Sequence, residues 1–216
     1  MIITIDGPAA AGKGTLAAAL ADKFGLAYFD TGMVYRAVGL QMLMQNIALD
    51  NDKQAQKLAE ELTFPLMMKL SSQALFRSLE GSRAASSVAA MQGVRKALLK
   101  MQQDFSLSPV FADGSKAKGA IYDGRDTGTV ICPHADVKFF ITASPEIRAM
   151  RRFKEYQDKG QAADYNEVLA QTKARDERDF SREGSKPAKD AIMFDTSDMS
   201  IEEVFAKACR IIEEKL

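Results

Sequence analysis

The 216-residue chain carries 29 lysines and arginines and 29 aspartates and glutamates, so its net charge is zero. This balance argues against bulk binding of nucleic acid, because such binding needs a basic excess. The single histidine, His134, argues against a catalytic triad or a histidine-rich metal site, and we expect it in a loop. Cys132 and Cys209 are isolated, which predicts reduced and buried thiols.

No apolar run approaches the roughly 20 residues that span a bilayer. The first strand pattern begins at residue 2, so we expect no signal peptide. The sequence therefore predicts a cytoplasmic monomer with neither a membrane nor a nucleic-acid partner. Its length is enough to bury a substantial core within one domain that carries small inserts.

The first informative segment is a strand pattern followed by a glycine-rich loop and a helical pattern. Residues 2–6 are a β-branched run, and an Ala/Leu-rich segment covers residues 16–21. This order is the context of a phosphate-binding loop, or P-loop. We expect the loop to bind phosphate through Gly7, Pro8, Ala9, Ala10, Ala11, Gly12, Lys13, Gly14 and Thr15.

The chemistry of a P-loop explains these residue types. Gly7 and Gly12 lack a Cβ atom, so the backbone can turn its N–H groups toward a phosphate. The N-terminus of the following helix adds a positive dipole end. Lys13 supplies a charge for the β- and γ-phosphates. Gly14 stands where a hydroxyl is usual, and Thr15 supplies it one place later, where we expect it to hold Mg²⁺.

A second strand is predicted at residues 26–29, followed by an Asp-Thr-Gly turn and a helix at residues 33–45. In a doubly wound sheet, ligands lie beyond the carboxyl ends of the strands. The turn and Arg36 are therefore expected on the same rim as the P-loop. There Arg36 meets a second phosphate or, in the alternative interpretation, is a solvated arginine on the outer face of its helix.

The middle of the chain has weaker patterns. We predict a helix at residues 53–62, short strands at residues 64–70 and 74–79, a long helix at residues 84–105 and a loop at residues 106–119. The methionines of the long helix are interpreted as core residues.

A second informative segment follows this loop. Residues 120–123 form an apolar strand pattern that ends in Asp123, and Arg125 and Asp126 come directly after it. A P-loop protein orients Mg²⁺ with an aspartate in this position, directly or through water. Arg125 and Asp126 are expected at the rim where a substrate lies. The alternative is a charged turn with no role in binding.

The remaining elements continue the alternation of strands and helices. Strands are predicted at residues 137–143 and 191–195, and Ser144 is expected to cap a helix that contains Arg151. Ser200 begins a capping box that opens the last helix. Together the elements predict an α/β fold of the P-loop NTPase type: a doubly wound parallel sheet with helices on both faces.

A helix at residues 165–180 ends in a run of charged residues. The spacing i, i+3, i+4 and i+7 places four of them on one face if the helix persists, namely Arg175, Arg178, Asp179 and Arg182. Such a face is usually solvated and carries ion pairs within the helix. Three arginines on one stripe also suit a mobile flap that closes over phosphates, and both interpretations stay open.

Four motifs together resemble the bacterial cytidylate kinases over nearly the whole chain. They lie at residues 5–15, 30–36, 123–130 and 175–182. The resemblance implies one kinase domain over residues 1–216, with its core at about 1–35, 106–152 and 185–216. A small nucleoside-monophosphate-binding insert then covers about 36–105, and a short lid about 153–184. It also implies ATP-dependent phosphorylation of CMP and dCMP to CDP and dCDP in pyrimidine metabolism, with Mg²⁺ as cofactor.

The resemblance implies roles for the acceptor side. Arg36 and Arg125 would hold the CMP phosphate, with Thr31 nearby. The cytosine edge would be read by Ser86, Arg95 and Asp126. The sugar hydroxyls would meet Asp179, and Arg182 would lie close to the nucleotide.

The resemblance also assigns the transfer step, an in-line attack that needs no general base. The transferring group would be neutralised by Lys13, Arg125, Arg151, Arg175 and Arg178, with Mg²⁺ held by Thr15 and Asp123. Two departures affect the acceptor side: a three-stranded insert is shortened at residues 64–80, and an extra loop covers residues 106–119. The alternatives are a kinase for UMP, AMP or another small acceptor, and a switch module that hydrolyses nucleotide slowly.

Overall fold

The computed structural model describes residues 1–158, 160–181 and 184–215. The chain forms two compact units. The first unit comprises Met1–Phe29 and Pro109–Leu216, and the second comprises Asp30–Ser108. Within the described residues, no helix is long and apolar enough to cross a membrane. The expectation of a cytoplasmic monomer stays a prediction.

The described part of the chain contains five strands: β1 (Ile2–Asp6), β2 (Ala27–Asp30), β3 (Ala120–Gly124), β4 (Val137–Thr142) and β5 (Ile192–Asp195). They form one sheet in the spatial order β2-β3-β1-β4-β5. Strand β1 pairs in parallel with β3 and β4, and β4 pairs in parallel with β5. The register aligns Asp6 with Gly124 on one side and with Phe140 on the other. The carboxyl ends of these strands therefore meet at one edge.

Helices connect the strands. The described α-helices are α1 (Lys13–Phe24), α2 (Gly32–Met44), α3 (Asp52–Glu60), α4 (Phe64–Ser71), α5 (Leu79–Val88), α6 (Gln92–Leu107), α7 (Pro145–Asp158), α8 (Tyr165–Phe180) and α9 (Ile201–Glu213). A 3₁₀ helix covers Ala74–Arg77, and a π-helical turn covers Thr127–Ile131. A parallel sheet flanked by helices confirms the predicted α/β fold class.

The core of the first unit lies between the sheet and its helices. Ile5 of β1, Ile121 of β3 and Phe139 of β4 are buried together with apolar residues of α1 and α9. Phe139 also stacks on Phe194 of β5, with 5.3 Å between the ring centroids. Strands covered on both faces read as continuous apolar runs, which is why these strands were predictable. The predicted capping box at Ser200 is present.

The second unit is helical, and here two predictions are wrong. Residues 64–70 and 74–79 do not form strands, because they lie in α4, the 3₁₀ helix and the start of α5. The hydroxyl of Thr63 accepts a hydrogen bond from the N–H of Leu66, and a proline occupies the first turn of α4. These are helix-start features that outweigh the apolar run. The shortened stranded insert expected at residues 64–80 is therefore helical.

The long helix predicted at residues 84–105 is also wrong. Helix α5 ends at Val88, Met91 has an extended backbone, and α6 begins at Gln92. The break lets the two helices pack on different neighbours, α5 against α2 and α6 against α3. In contrast, the loop expected at residues 106–119 is largely present: α6 continues to Leu107, and residues 108–119 form a loop closed by an isolated bridge between Val110 and Lys116.

The structure confirms the predicted burial of the two cysteines, the loop position of His134 and the cap at Ser144. Cys132 and Cys209 are free and buried, and burial raises the pKa of the Cys209 thiol. His134 lies in an exposed turn before β4. The hydroxyl of Ser144 accepts a hydrogen bond from the N–H of Ile147 at the start of α7.

Candidate active site

The glycine-rich loop after β1 has a constrained backbone. Gly7 has φ of 142°, and a Cβ atom there would lie 1.9 Å from the carbonyl oxygen of Ile141. Gly12 has φ of 93° and precedes α1. Ala10 adopts φ of 59°, a left-handed conformation that costs a non-glycine residue roughly 1 kcal/mol. The surrounding contacts must therefore hold this loop in its shape.

Three carbonyl groups of the loop accept hydrogen bonds from distant or charged side chains. Lys13 Nζ donates to the Pro8 carbonyl at 3.0 Å. Arg148 Nη1 donates to the Ala9 carbonyl at 3.2 Å. The Ala11 carbonyl accepts from the hydroxyl of Thr196 at 3.4 Å and from Arg151 Nη1 at 3.5 Å. The loop is thus fixed through its carbonyl oxygens.

Lys13 is buried beside a carboxylate. Its side chain is 6% exposed, and its Nζ lies 3.7 Å from Asp123 Oδ1. The pKa of Lys13 is lowered to about 8, chiefly by burial and also by repulsion from Arg125 and Arg175, against the attraction of Asp123. The Lys13 side chain therefore places an ammonium charge at the loop. This group loses its proton at a pH close to the physiological range.

The predicted metal ligands lie next to this lysine. Asp123 at the end of β3 accepts a hydrogen bond from the hydroxyl of Tyr28 at 3.4 Å. A Cβ atom at Gly14 would lie 3.3 Å from Asp123 Oδ2, so the carboxylate faces the first turn of α1. Thr15 follows in that turn and is exposed. Among the described residues, no three His, Cys, Asp or Glu side chains cluster as a metal site.

Asp6, which the sequence did not single out, holds the turn that carries Arg125 and Asp126. Its Oδ1 accepts from the N–H and the hydroxyl of Thr127, at 2.9 and 2.8 Å. Its Oδ2 accepts from the N–H of Gly128 at 2.8 Å. Burial raises the pKa of Asp6, and these hydrogen bonds oppose that rise. Asp126 itself is buried, with 6% of its surface exposed.

The arginine stripe of α8 meets Arg125 at one carboxylate. Arg125 Nε donates to Asp179 Oδ2 at 3.0 Å, and Arg175 Nε lies 3.8 Å from the same oxygen. The stripe therefore carries an ion pair within its helix and also a contact to another element. Arg178 is exposed, and its Nε donates to the Ala174 carbonyl of the same helix. Arg182 lies outside the described residues.

Two arginines of α7 each contact a carbonyl oxygen of the P-loop. Arg148 also contacts the chain just after β4, and Arg151 contacts the chain just after β5. Arg151 Nη2 donates to the Thr196 carbonyl at 2.8 Å, and its Nη1 donates to the hydroxyl of that threonine at 3.2 Å. Arg148 is 2% exposed and pairs with Asp176 of α8. The assignment of Arg151 as a phosphoryl-group ligand stays a prediction.

The second unit contains the other predicted acceptor residues. Arg36 Nη1 donates to the Phe76 carbonyl at 3.1 Å and to Ser82 Oγ at 3.0 Å. Ser86 lies one turn further along α5 and is partly exposed. The guanidinium of Arg95 lies over the ring of Tyr35, 6.0 Å from its centroid. Thr31 is buried at the N-terminus of α2.

A family model described as cytidylate kinase matches residues 3–214. The chain belongs to the cytidylate kinase family. It is 47% identical over 216 residues to the cytidylate kinase of Paramagnetospirillum magneticum, covering 99% of this chain and 98% of that protein. It is 44% identical over 214 residues to that of Bartonella henselae, covering 98% and 94%.

The fold of this cytidylate kinase family member also resembles a solved shikimate kinase from Bacteroides thetaiotaomicron. The TM-score is 0.51 at 13% sequence identity, covering 99% of this chain and 97% of that one. At this identity the likeness concerns the fold alone. It agrees with the parallel sheet described above.

Three site residues of this cytidylate kinase family member were not identified from its sequence: Asp6, Arg148 and Asp176. Asp6 could have been identified from its position at the end of a buried strand, directly before a P-loop. The signal for the other two was weaker, because an arginine and an aspartate on charged helices look solvated until their partners are known. Each acts through residues more than 25 positions away.

Proposed function

We propose that this protein transfers the γ-phosphoryl group of ATP to the phosphate of CMP or dCMP, yielding ADP and CDP or dCDP. One observation carries the proposal. A lysine of a glycine-rich loop is buried beside a strand-end aspartate, at the same sheet edge as Arg125 and the arginines of α8. This arrangement suits the stabilisation of charge on a phosphoryl group.

The donor side would be formed by the loop from Gly7 to Thr15 and by Lys13. The oxygen donors of Thr15 and Asp123 fit Mg²⁺, which is usually held by one or two carboxylates together with substrate phosphates and water. When bound, Mg²⁺ supplies charge neutralisation and alignment of the phosphates. Below its pKa of about 8, Lys13 would contribute a positive charge from a side chain that is already buried.

The acceptor side would use the residues that the resemblance to the cytidylate kinases assigns to it. Arg36 and Arg125 would hold the CMP phosphate, with Thr31 nearby. Ser86, Arg95 and Asp126 would read the cytosine edge. Asp179 would meet the sugar hydroxyls, with Arg182 close to the nucleotide. The carboxylate of Asp126 can accept a hydrogen bond from the cytosine amino group but would face an oxygen in uracil.

The transfer step needs no general base, since the acceptor phosphate is already anionic near neutral pH. An oxygen of the CMP phosphate attacks the γ-phosphorus, and the bond to the β–γ bridging oxygen breaks with its electrons leaving on ADP. Lys13, Arg125, Arg151 and Arg175 would neutralise the charge that develops. Catalysis would then come from positioning and electrostatics.

The test is ADP release from Mg-ATP with CMP, dCMP, UMP and AMP offered separately. We expect strong turnover with CMP and dCMP that is lost in Lys13→Ala. Turnover with UMP or AMP instead would retain phosphoryl transfer and overturn the base-reading residues. Steady ATP consumption that ignores every acceptor would favour the slow switch module.

Asp126→Asn tests the base-reading assignment by itself. An amide can donate to the uracil oxygen as well as accept from cytosine, so the preference for CMP over UMP should fall roughly tenfold. An unchanged ratio of kcat/KM for the two acceptors would contradict this role of Asp126.

A further inference from the structure

Arg148 is a buried arginine whose donors are directed at three different elements. Its Nε donates to the Ala143 carbonyl at 2.9 Å, just after β4. Its Nη1 donates to the Ala9 carbonyl of the P-loop at 3.2 Å and to Asp176 Oδ1 at 3.0 Å. Its Nη2 donates to Asp176 Oδ2. The planar guanidinium thereby joins the sheet, the P-loop and α8 in one fixed geometry.

The contact to Ala9 fixes the orientation of one peptide group of the loop. In a trans peptide, the C=O of one residue and the N–H of the next point in opposite directions. No cis peptide bond occurs among the described residues. Because the Ala9 carbonyl is turned toward Arg148, the N–H of Ala10 is turned away from it. Ala10 is also the residue with φ of 59°, a conformation that its neighbours must hold.

The contact to Asp176 fixes Arg148 in turn and links it to the arginine helix. The carboxylate binds the guanidinium through both oxygens, the arrangement that gives the strongest directional hold on an arginine. Asp176 is the neighbour of Arg175 on α8, and Asp179 of the same helix contacts Arg125. One ion pair therefore connects the helix of the proposed phosphoryl-group ligands to the loop that would hold the donor.

We propose that Arg148 is a positioning residue for the P-loop, and that Asp176 holds Arg148 in place so that α8 and the loop are coupled. Arg148 directs the Ala9 carbonyl outward and thereby presents the N–H of Ala10 to a nucleotide phosphate. This inference rests on the proposed function, because it takes the loop as the site of the ATP phosphates.

The test is a calorimetric titration with Mg²⁺ and the β,γ-imido analogue of ATP, beside steady-state kinetics. Arg148→Met removes the donors and keeps much of the side-chain volume. We expect binding of the analogue to weaken at least tenfold and the KM for ATP to rise similarly, with little change in the KM for CMP. Arg152→Met is the matched control, because Arg152 lies on the same helix and its Nε donates to Tyr156. It should leave binding unchanged.

A second variant separates positioning from a merely structural role. Arg148→Met leaves Asp176 as an unpaired charge, so it can lower stability whatever Arg148 does for the loop. The double variant Arg148→Met/Asp176→Leu removes both charges, and replacement of a buried pair by apolar residues is often tolerated. Under the proposal, the double variant folds and still binds the ATP analogue at least tenfold more weakly than wild type.

The opposite result overturns the proposal: a folded double variant that binds the analogue as tightly as wild type. Arg148→Lys provides a third measurement if neither variant folds. It keeps the charge opposite Asp176 but loses the planar fork, so intermediate affinity is expected and wild-type affinity contradicts the proposal. Failure of the proposed function would instead appear as wild-type protein that binds the analogue but shows no acceptor-dependent ADP release.

Discussion

The P-loop and the helical second unit are held by different kinds of contact. In the first unit, side chains reach the loop region from far along the chain: Thr127 contacts Asp6 from 121 residues away, and Thr196 contacts Ala11 from 185. In the second unit, most described side-chain hydrogen bonds stay within one helical turn, as with Lys100 and Asp104. Arg36 differs, with partners 40 and 46 residues away.

This difference predicts which kind of substitution destabilises each unit. A loop with an unusual backbone is fixed by polar groups that approach from several elements, so its shape depends on direct backbone and charge contacts. The helices of the second unit depend instead on close approach, as where Gly39 of α2 lies against the backbone of Ala84 in α5. We therefore expect the first unit to respond to altered polar and backbone contacts, and the second to altered volume.

The largest expected effect comes from Gly7→Ala. The new Cβ would lie 1.9 Å from the Ile141 carbonyl oxygen, and φ of 142° is also unfavourable for alanine. We expect a loss of at least about 4 kcal/mol in the free energy of unfolding, or no folded protein. Urea denaturation followed by circular dichroism measures it.

Gly25→Ala is the control for Gly7→Ala. Gly25 also has positive φ, at 62°, but nothing lies within 4 Å of its added Cβ atom. It should lose only about 1 kcal/mol. Equal losses in the two variants would show that backbone conformation alone, and not the contact with β4, makes the P-loop glycine necessary.

A smaller effect is expected from Gly39→Ala in the second unit. Its Cβ atom would lie 2.8 Å from the backbone carbon of Ala84, so α2 and α5 would have to separate. We expect a loss of about 2 kcal/mol. The free energy of unfolding from urea titration measures it, and the KM for CMP should rise while that for ATP stays constant.

Gly93→Ala is the matched helix variant for Gly39→Ala. Its added Cβ would meet the side chain of Gln56, which can move aside, and alanine favours the helix. The protein should be as stable as wild type or slightly more so. A loss at Gly93 as large as that at Gly39 would mean that close helix approach does not distinguish the two sites.

The third prediction concerns Lys13 and pH. With a pKa of about 8, the free protein loses the Lys13 ammonium as pH rises through that value. Nucleotide phosphates need the charged form, so affinity for the ATP analogue should fall about tenfold per pH unit above pH 8, or about 1.4 kcal/mol. Calorimetry in two buffers should detect uptake of about one proton on binding near pH 9.

Lys13→Met is the control for this pH dependence. Its remaining affinity should show no fall and no proton uptake in the same range. Constant wild-type affinity from pH 7 to 9.5 would mean that the lysine keeps an ordinary pKa despite its burial. Below about pH 7 the wild-type affinity should level off, because the ammonium is then almost fully formed.

The sequence predicted the first unit well because its strands are apolar on both faces and are punctuated by glycines and caps. Ile3 and Ile5 are fully buried, as their place in a β-branched run indicates. The run at residues 64–70 is also short and apolar, but it lies in a helix. A short apolar run does not distinguish strand from helix, and the cap at Thr63 and the proline after Phe64 were the features that decide it.

Some residues of the candidate site were predictable from the sequence, and others were not. Lys13 and Asp123 stand at positions that a motif defines, and the structure places them 3.7 Å apart. Arg148 has no motif, because its role depends on Ala9 and Asp176, which lie 139 and 28 residues away in the chain. Periodicity locates such an arginine on a helix but cannot identify its partners, since these follow from how β4, α7 and α8 pack.

The smallest expected effect concerns the long-range hydrogen bonds of Arg36 in the second unit. Ser82 Oγ accepts from Arg36 Nη1 and itself donates to the Ser78 carbonyl, so it orients the guanidinium. Ser82→Ala removes this acceptor and leaves the contact to the Phe76 carbonyl. We expect the KM for CMP to rise about threefold, or about 0.7 kcal/mol, with the KM for ATP unchanged.

Ser87→Ala is the matched control, because Ser87 lies on the same helix and its hydroxyl donates to the Arg83 carbonyl within it. It should leave both KM values unchanged. If Ser82→Ala raised the two KM values together, the effect would come from loosening of the helical unit and not from Arg36. If neither value changed, the Ser82 hydroxyl would not be needed to orient Arg36.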